Sequence, residues 1–160
     1  MSTDPKKTTT MVSWPFLTSV KTLNCFLGLT GYYRKFIKHY GQIAAPLTTL
    51  LKKNSFVWSD QDGVAFQQLK VAVSHPPVLA LRDFNLPFTI KCDTLGLGLG
   101  VVLMQDQRLI AFHSQLFKGK ALQLSTYEKE LLALVIAVHK WRPYLLGRPF
   151  IIKTDQQSLK

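Results

Sequence analysis

Hydrophobic positions recur at helical spacing in the first half of the chain and alternate in the second. From Val20 onward, Leu23, Phe26, Leu27 and Thr30 share one helical face, and Gly28 and Gly31 are expected to weaken or break it. Aromatic and basic residues interleave over 32–39, which predicts a short continuation of that helix up to Gly41. Residues 43–53 read as another short helix, with Lys52 and Lys53 in its last turn, where cations suit the dipole. Ser59 is a candidate N-cap for a helix over 60–73, with acids in its first turn and Phe66, Leu69 and Val73 on one face. Residues 1–18, closed by Trp14-Pro15, read as an irregular leader.

Pro76-Pro77 marks a change of texture, and 76–86 reads as a linker. Over 88–93, Phe88, Ile90 and Cys92 alternate with Thr89, Lys91 and Asp93, as in a strand with one buried face. Gly96, Gly98 and Gly100 lead into a second strand over 101–104, and Asp106-Gln107 separates it from a third over 110–113. The run Ser125-Thr126-Tyr127-Glu128 fits a capping box opening a helix that extends to about Tyr144. A fourth strand over 150–154 returns after that helix, so it can lie parallel to the first. The expected class is α+β: an N-terminal helical unit (19–75), then a β-β-β-α-β unit (87–160).

Composition sharpens this picture. Hydrophobic residues make up 47% of the 160, enough for a real core. Twenty Lys and Arg against nine Asp and Glu leave a formal charge of +11. That excess points to a polyanionic partner, nucleic acid being the commonest, although a merely soluble basic protein fits it equally well. Cys25 and Cys92 lack metal-site spacing and read as reduced core residues of an intracellular protein. No apolar run has membrane-spanning length.

Three carboxylates carry candidate chemistry. Asp93 and Asp155 close similar strand ends, Ile90-Lys91-Cys92-Asp93 and Ile152-Lys153-Thr154-Asp155. Parallel neighbouring strands would set them side by side, where two anions repel unless a cation lies between them. Two solvated turn residues are the plainer reading. Glu130 shares a helical stripe with Leu134, Ala137 and Trp141, and could serve as a third oxygen donor for Mg²⁺; Glu128 reads as the capping-box acid. Carboxylates clamping two such cations are a common device for phosphodiester hydrolysis. Tyr32, Tyr33, Arg34, Lys35 and Lys38, joined by Lys52 and Lys53, could contact a nucleic-acid backbone, or serve as core anchors beneath a solvated basic face. The glycine run 96–100 lacks phosphate-loop spacing, and the histidines share no ligand spacing, so both read as structural.

The run from Phe26 to Ile37, Phe-Leu-Gly-Leu-Thr-Gly-Tyr-Tyr-Arg-Lys-Phe-Ile, resembles a signature of gypsy-class long-terminal-repeat retrotransposon polymerases. The similarity continues through Pro46-Leu47, Trp58, Ala65-Phe66, Pro77-Val78-Leu79, Asp93, Glu128-Lys129-Glu130-Leu131-Leu132-Ala133, Tyr144-Leu145 and Thr154-Asp155. The resemblance implies a reverse-transcriptase thumb-like region that packs on a template–primer duplex, followed by an RNase H-like domain that cuts the RNA of RNA–DNA hybrids with Mg²⁺. It also implies that Asp93, Glu130 and Asp155 are three of the four metal-binding carboxylates of that family. This sequence departs from the pattern: Thr94-Leu95 stands for Ala-Ser, Gln156 for His and Leu17 for Pro, and neither a Tyr-x-Asp-Asp motif nor a fourth metal-binding Asp is present.

These departures lead to the expectation of a retroelement-derived, nucleic-acid-binding fragment with a vestigial, truncated RNase H-like unit. A working Mg²⁺-dependent ribonuclease completed by a downstream segment is the first alternative. A protein-binding adaptor that reuses the helical half is the second. The truncated sheet is expected to keep an unpaired edge and to carry one helix, leaving apolar surface on its other face open to self-association.

Overall fold

The computed structural model describes residues 9–11, 13–52, 56–75, 77 and 79–154. Helix α1 (Val20–Tyr32) opens on a capping box in which Ser19 accepts from the Thr22 amide, and it buries Leu23, Phe26 and Thr30. It runs straight through Gly28 and Gly31, contrary to the expected break. Glycine costs a helix only about 1 kcal/mol, and the buried face outweighs that. Thr30 and Tyr40 hydroxyls meet at 3.0 Å and tie the end of α1 to the next segment.

The helix expected over 32–39 is instead a single 3₁₀ turn, Arg34–Phe36, and His39 adopts a left-handed φ of 55°. The helix expected over 43–53 divides into α2 (Tyr40–Ile43) and α3 (Ala45–Thr49), with Pro46 in the opening turn of α3. Lys52 lies beyond the end of α3, and Lys53 falls outside the described residues. Helix α4 (Asp60–Ser74) starts at Ser59 as expected, with Asp62 completing a second capping box. Rings of Trp14, Phe26, Phe66 and Trp58 cross at 4.7–6.1 Å in the centre of this unit. The segment expected to be an irregular leader contributes Met11 and Leu17 to this core, both at most 1% exposed. Cys25, expected inside, is exposed.

Strands β1 (Phe88–Leu95), β2 (Gly98–Gln105), β3 (Arg108–Leu116) and β4 (Phe150–Lys153) form one sheet in the order β3-β2-β1-β4. Strand β4 runs parallel to β1, pairing Phe88 with Phe150 and Ile90 with Ile152. The β2–β3 turn places Asp106 and Gln107 at positive φ, matching the right-handed twist of the hairpin. Helix α5 (Thr126–Lys140) follows its own capping box at Ser125 and Glu128 and ends at Trp141, short of the expected Tyr144. Pro143 then begins the separate turn α6 (Arg142–Leu145). Phe88, Ile90 and Cys92 are buried with Ala133, Leu134 and Ala137 of α5, so the alternation holds as expected.

The other face of the sheet is not left open, which corrects the expectation of a single packed helix. The 3₁₀ turn and α2 sit on β2 and β3 there. Arg34 Nη2 donates to the Ser114 carbonyl at 3.0 Å, the Gly41 amide to Ser114 Oγ at 2.7 Å, and Gln42 Nε2 to the Leu99 carbonyl at 3.3 Å. Gly98 and Gly100 belong to β2 rather than to a turn. A Cβ on Gly98 would come within 2.7 Å of Gln42 Nε2, and one on Gly100 within 2.8 Å of the His39 ring. The linker is fastened as well: buried Gln105 accepts from the Asp83 amide and donates to the Asp83 and Leu86 carbonyls. Apolar surface does remain beside β4, where Leu131, Val135, Phe150 and Ile152 line an open groove next to α5.

Candidate functional site

Strand alternation sends Asp93 to the face occupied by the helical unit. Its Oδ2 lies 3.6 Å from His39 Nε2 and 3.9 Å from Lys38 Nζ, so the first candidate carboxylate joins the two halves. Burial and the neighbouring Lys38 lower the His39 pKa, against the opposing pull of Asp93. His39 is thus a neutral imidazole near pH 7, and its Nδ1 is buried with no hydrogen-bond partner. Sequence reasoning missed this partnership, because His39 shares no spacing with Asp93.

Glu130 faces the opposite side of β1. It is only 8% exposed, in the second turn of α5 and in the stripe with Leu134, Ala137 and Trp141, as expected. Both of its oxygens accept hydroxyl hydrogen bonds, Oε1 from Thr94 at 2.9 Å and Oε2 from Thr154 at 3.1 Å. Cys92 is on the same side: burial, and secondarily the Glu130 charge, push its thiol up to about 12, far from any nucleophilic role. Glu128 caps α5, accepting from the Ser125 amide at 2.8 Å.

Divalent cations such as Mg²⁺ need several oxygens converging on one point. Among the described residues no group of three or more His, Cys, Asp or Glu converges in that way. Asp93 is engaged by Lys38 and His39, and Glu130 by two threonines on the other face. The described donors therefore do not fit a magnesium site. Asp155 lies outside the described residues.

The basic cluster divides by burial. Tyr33 is 3% exposed and stacks edge-on with Tyr32, which is 66% exposed. Arg34 spans the joint to Ser114 and lies over the Tyr40 ring at 5.9 Å. Lys35, Lys38 and Lys52 are exposed. Tyr32, Arg34, Lys35 and Lys38 thus form a cationic turn with one exposed ring, while Lys52 stands apart beyond α3. No described helix is long and apolar enough to cross a membrane.

Residues 58–152 match the family model described as an RNase H-like domain found in reverse transcriptase. The chain is 43% identical over 159 residues to the retrovirus-related Pol polyprotein from transposon 297 of Drosophila melanogaster, covering 98% of this chain and 15% of that polyprotein. It is 35% identical to the corresponding polyprotein from transposon gypsy of the same organism, again over 98% of this chain and 16% of the relative. The chain therefore spans about one sixth of the length of these relatives. Among solved structures, a foamy viral protease–reverse transcriptase in complex with dsDNA superposes with a TM-score of 0.88 at 21% identity, over 99% of this chain and 34% of that one. The foamy viral enzyme in complex with RNA/DNA hybrid gives 0.84 at 22% identity, over 98% of this chain and 22% of that one. These likenesses establish the shared fold.

Proposed function

Because the chain belongs to the RNase H-like domains found in reverse transcriptase, we propose that it grips a nucleic-acid duplex without hydrolysing it. It is part of a long-terminal-repeat retrotransposon polyprotein. Its assignment to the gypsy class, and its division into a thumb-like region at 19–75, a linker at 76–86 and an RNase H-like region at 87–160, belong to the same proposal. The observation that carries it is the cationic turn at Tyr32, Arg34, Lys35 and Lys38, held rigidly against the sheet by Arg34 and Gly41. Neighbours of the same fold were solved on dsDNA and on RNA/DNA hybrid, which supports the choice of ligand. A fixed row of cations reads phosphate spacing, so binding should be strongly salt-dependent and largely indifferent to sequence.

Asp93, Glu130 and Asp155 are the residues that would hold magnesium in a working ribonuclease of this family. The commitments of Asp93 and Glu130 support a silent site instead. The duplex test is fluorescence anisotropy across a salt series. Lys35→Ala with Lys38→Ala should weaken all duplexes alike and reduce the log–log slope by roughly 0.9 for each phosphate no longer neutralised. Unchanged binding would remove this turn from the interface. Incubated with an RNA–DNA hybrid and Mg²⁺, the 160-residue chain should release no product. Cleavage that disappears in Asp93→Asn would restore the ribonuclease.

A further inference from the structure

A second basic feature lies away from the cationic turn, at the outer edge of β3. There the linker, the 3₁₀ turn and the end of α5 enclose a cleft of about 440 Å³. Its charged members are Lys35, Arg82 and Lys140, and Phe112, Trp141 and Tyr144 supply aromatic surface. At its mouth the Arg82 guanidinium lies 4.6 Å from the centre of the Tyr144 ring. The Tyr144 ring lies 6.4 Å from that of Phe84, and the Arg148 guanidinium lies 4.6 Å from the far ring, that of Phe84. The result is a ladder of cation, ring, ring and cation, partly open to solvent.

Charge sets this arrangement apart from ordinary packing. Among the described residues the ion pairs are those of Asp93 with Lys38 and His39, so no carboxylate neutralises Arg82, Lys140 or Arg148 at ion-pair distance. The nearest acid in sequence, Asp83, turns back to accept from the Asn85 amide and side chain at 2.9 and 3.0 Å. Like charges gathered round one cleft repel, a cost that a bound polyanion removes. The field is felt inside the sheet: His113 is held down to about 4, first by burial and then by Arg34 and Lys140 approaching it together. Aromatic steps flanked by cations suit unpaired bases, because every base offers a π-face and its phosphate stays within reach of the cations.

We propose that this cleft and ladder bind an unpaired nucleic-acid strand, with phosphates at Lys35, Arg82 and Lys140 and a base on the Tyr144–Phe84 steps. The inference rests on the duplex-binding reading and deepens it. Lys35 belongs to both surfaces, so a strand leaving the duplex at the cationic turn enters the cleft directly.

The test uses the full 160-residue chain with three fluorescein-labelled probes: oligothymidylate of about 12 nucleotides, within the range of known single-strand sites, a blunt duplex, and that duplex with an overhang. Arg82→Gln with Lys140→Gln should weaken oligothymidylate by about tenfold or more, the scale of one stacking step removed. The same variant should abolish the advantage of the overhang and leave the blunt duplex nearly unchanged. Tyr144→Phe should retain strand binding, and Tyr144→Leu should lose it with the circular dichroism spectrum intact. Photocrosslinking of a thiothymidine-bearing oligonucleotide should label the peptide that contains Tyr144. Wild-type strand binding in Arg82→Gln/Lys140→Gln, with duplex binding still sensitive to Lys35 and Lys38, would overturn the ladder and leave the duplex reading standing. Failure of the native chain to bind any probe would overturn both.

Discussion

The two halves reach comparable burial by different physical routes. The sheet half rests on a regular ladder, and its core alternates with period two along β1 and meets one long helix. The helical half is built from short pieces around a cluster of rings, and α2 and α3 have only four and five residues. Helices that short are unstable alone, because nucleation costs more than a turn of hydrogen bonds returns. What holds them is the sheet, through Ser114, Leu99 and the space left by Gly98 and Gly100. The sheet half is therefore the template, and the helical half is partly moulded on it.

Truncating one fully buried ring in each half tests this asymmetry with the largest expected effect. Phe26→Ala and Phe88→Ala should each cost about 3–5 kcal/mol of stability. If the sheet is the template, Phe88→Ala also removes hydrogen-exchange protection from 40–50, whereas Phe26→Ala leaves residual protection in β1 and β2. Equal loss throughout in both variants would show that the halves fold as equals. Gly98→Val addresses the joint itself. Its added carbons meet Gln42 and the Gln115 carbonyl, 3.0 Å from a Cβ, and a rigid backbone oxygen cannot yield as a side chain can. A cost of roughly 1–3 kcal/mol is expected, with faster exchange at the Gly41 amide. Unaltered exchange there would mean that the joint is looser than its geometry.

The smallest effect is a pH dependence. His113 titrates near 4 in the folded chain, below its ordinary 6.5, because burial and the cations Arg34 and Lys140 oppose its charge. Above about 6.5 both folded and unfolded states hold it neutral, and it contributes no pH dependence. As pH falls from there toward 4, the unfolded chain takes up the proton first, so stability declines. His113→Gln should flatten that part of a melting-temperature profile relative to the native chain. Identical profiles would indicate that the cations do not converge at this edge.

Much of the plan was legible in the sequence. Ser59 and Ser125 announced their helices, because a capping box is a local device of four residues. The alternation of Phe88, Ile90 and Cys92 identified the buried face of β1, and the helix between the third and fourth strands implied that β4 returns parallel to β1. The stripe of Glu130 with Leu134 and Trp141 followed from helical periodicity alone.

Periodicity could not decide what lies across the sheet. Over 32–53 the sequence offered enough helix formers for two helices, but packing on β2 and β3 broke the segment into turns, since tertiary burial outweighs propensities worth tenths of a kcal/mol per residue. Similarly, Asp93 and Glu130 were chosen from sequence as oxygen donors with one purpose. Strand alternation turned Asp93 toward Lys38 and His39 while α5 carried Glu130 to Thr94 and Thr154. The kinds of side chain available were determined by the sequence itself. Which of them meet was decided by the packing of two units on opposite faces of one strand, because such partners lie far apart along the chain and no local pattern records them.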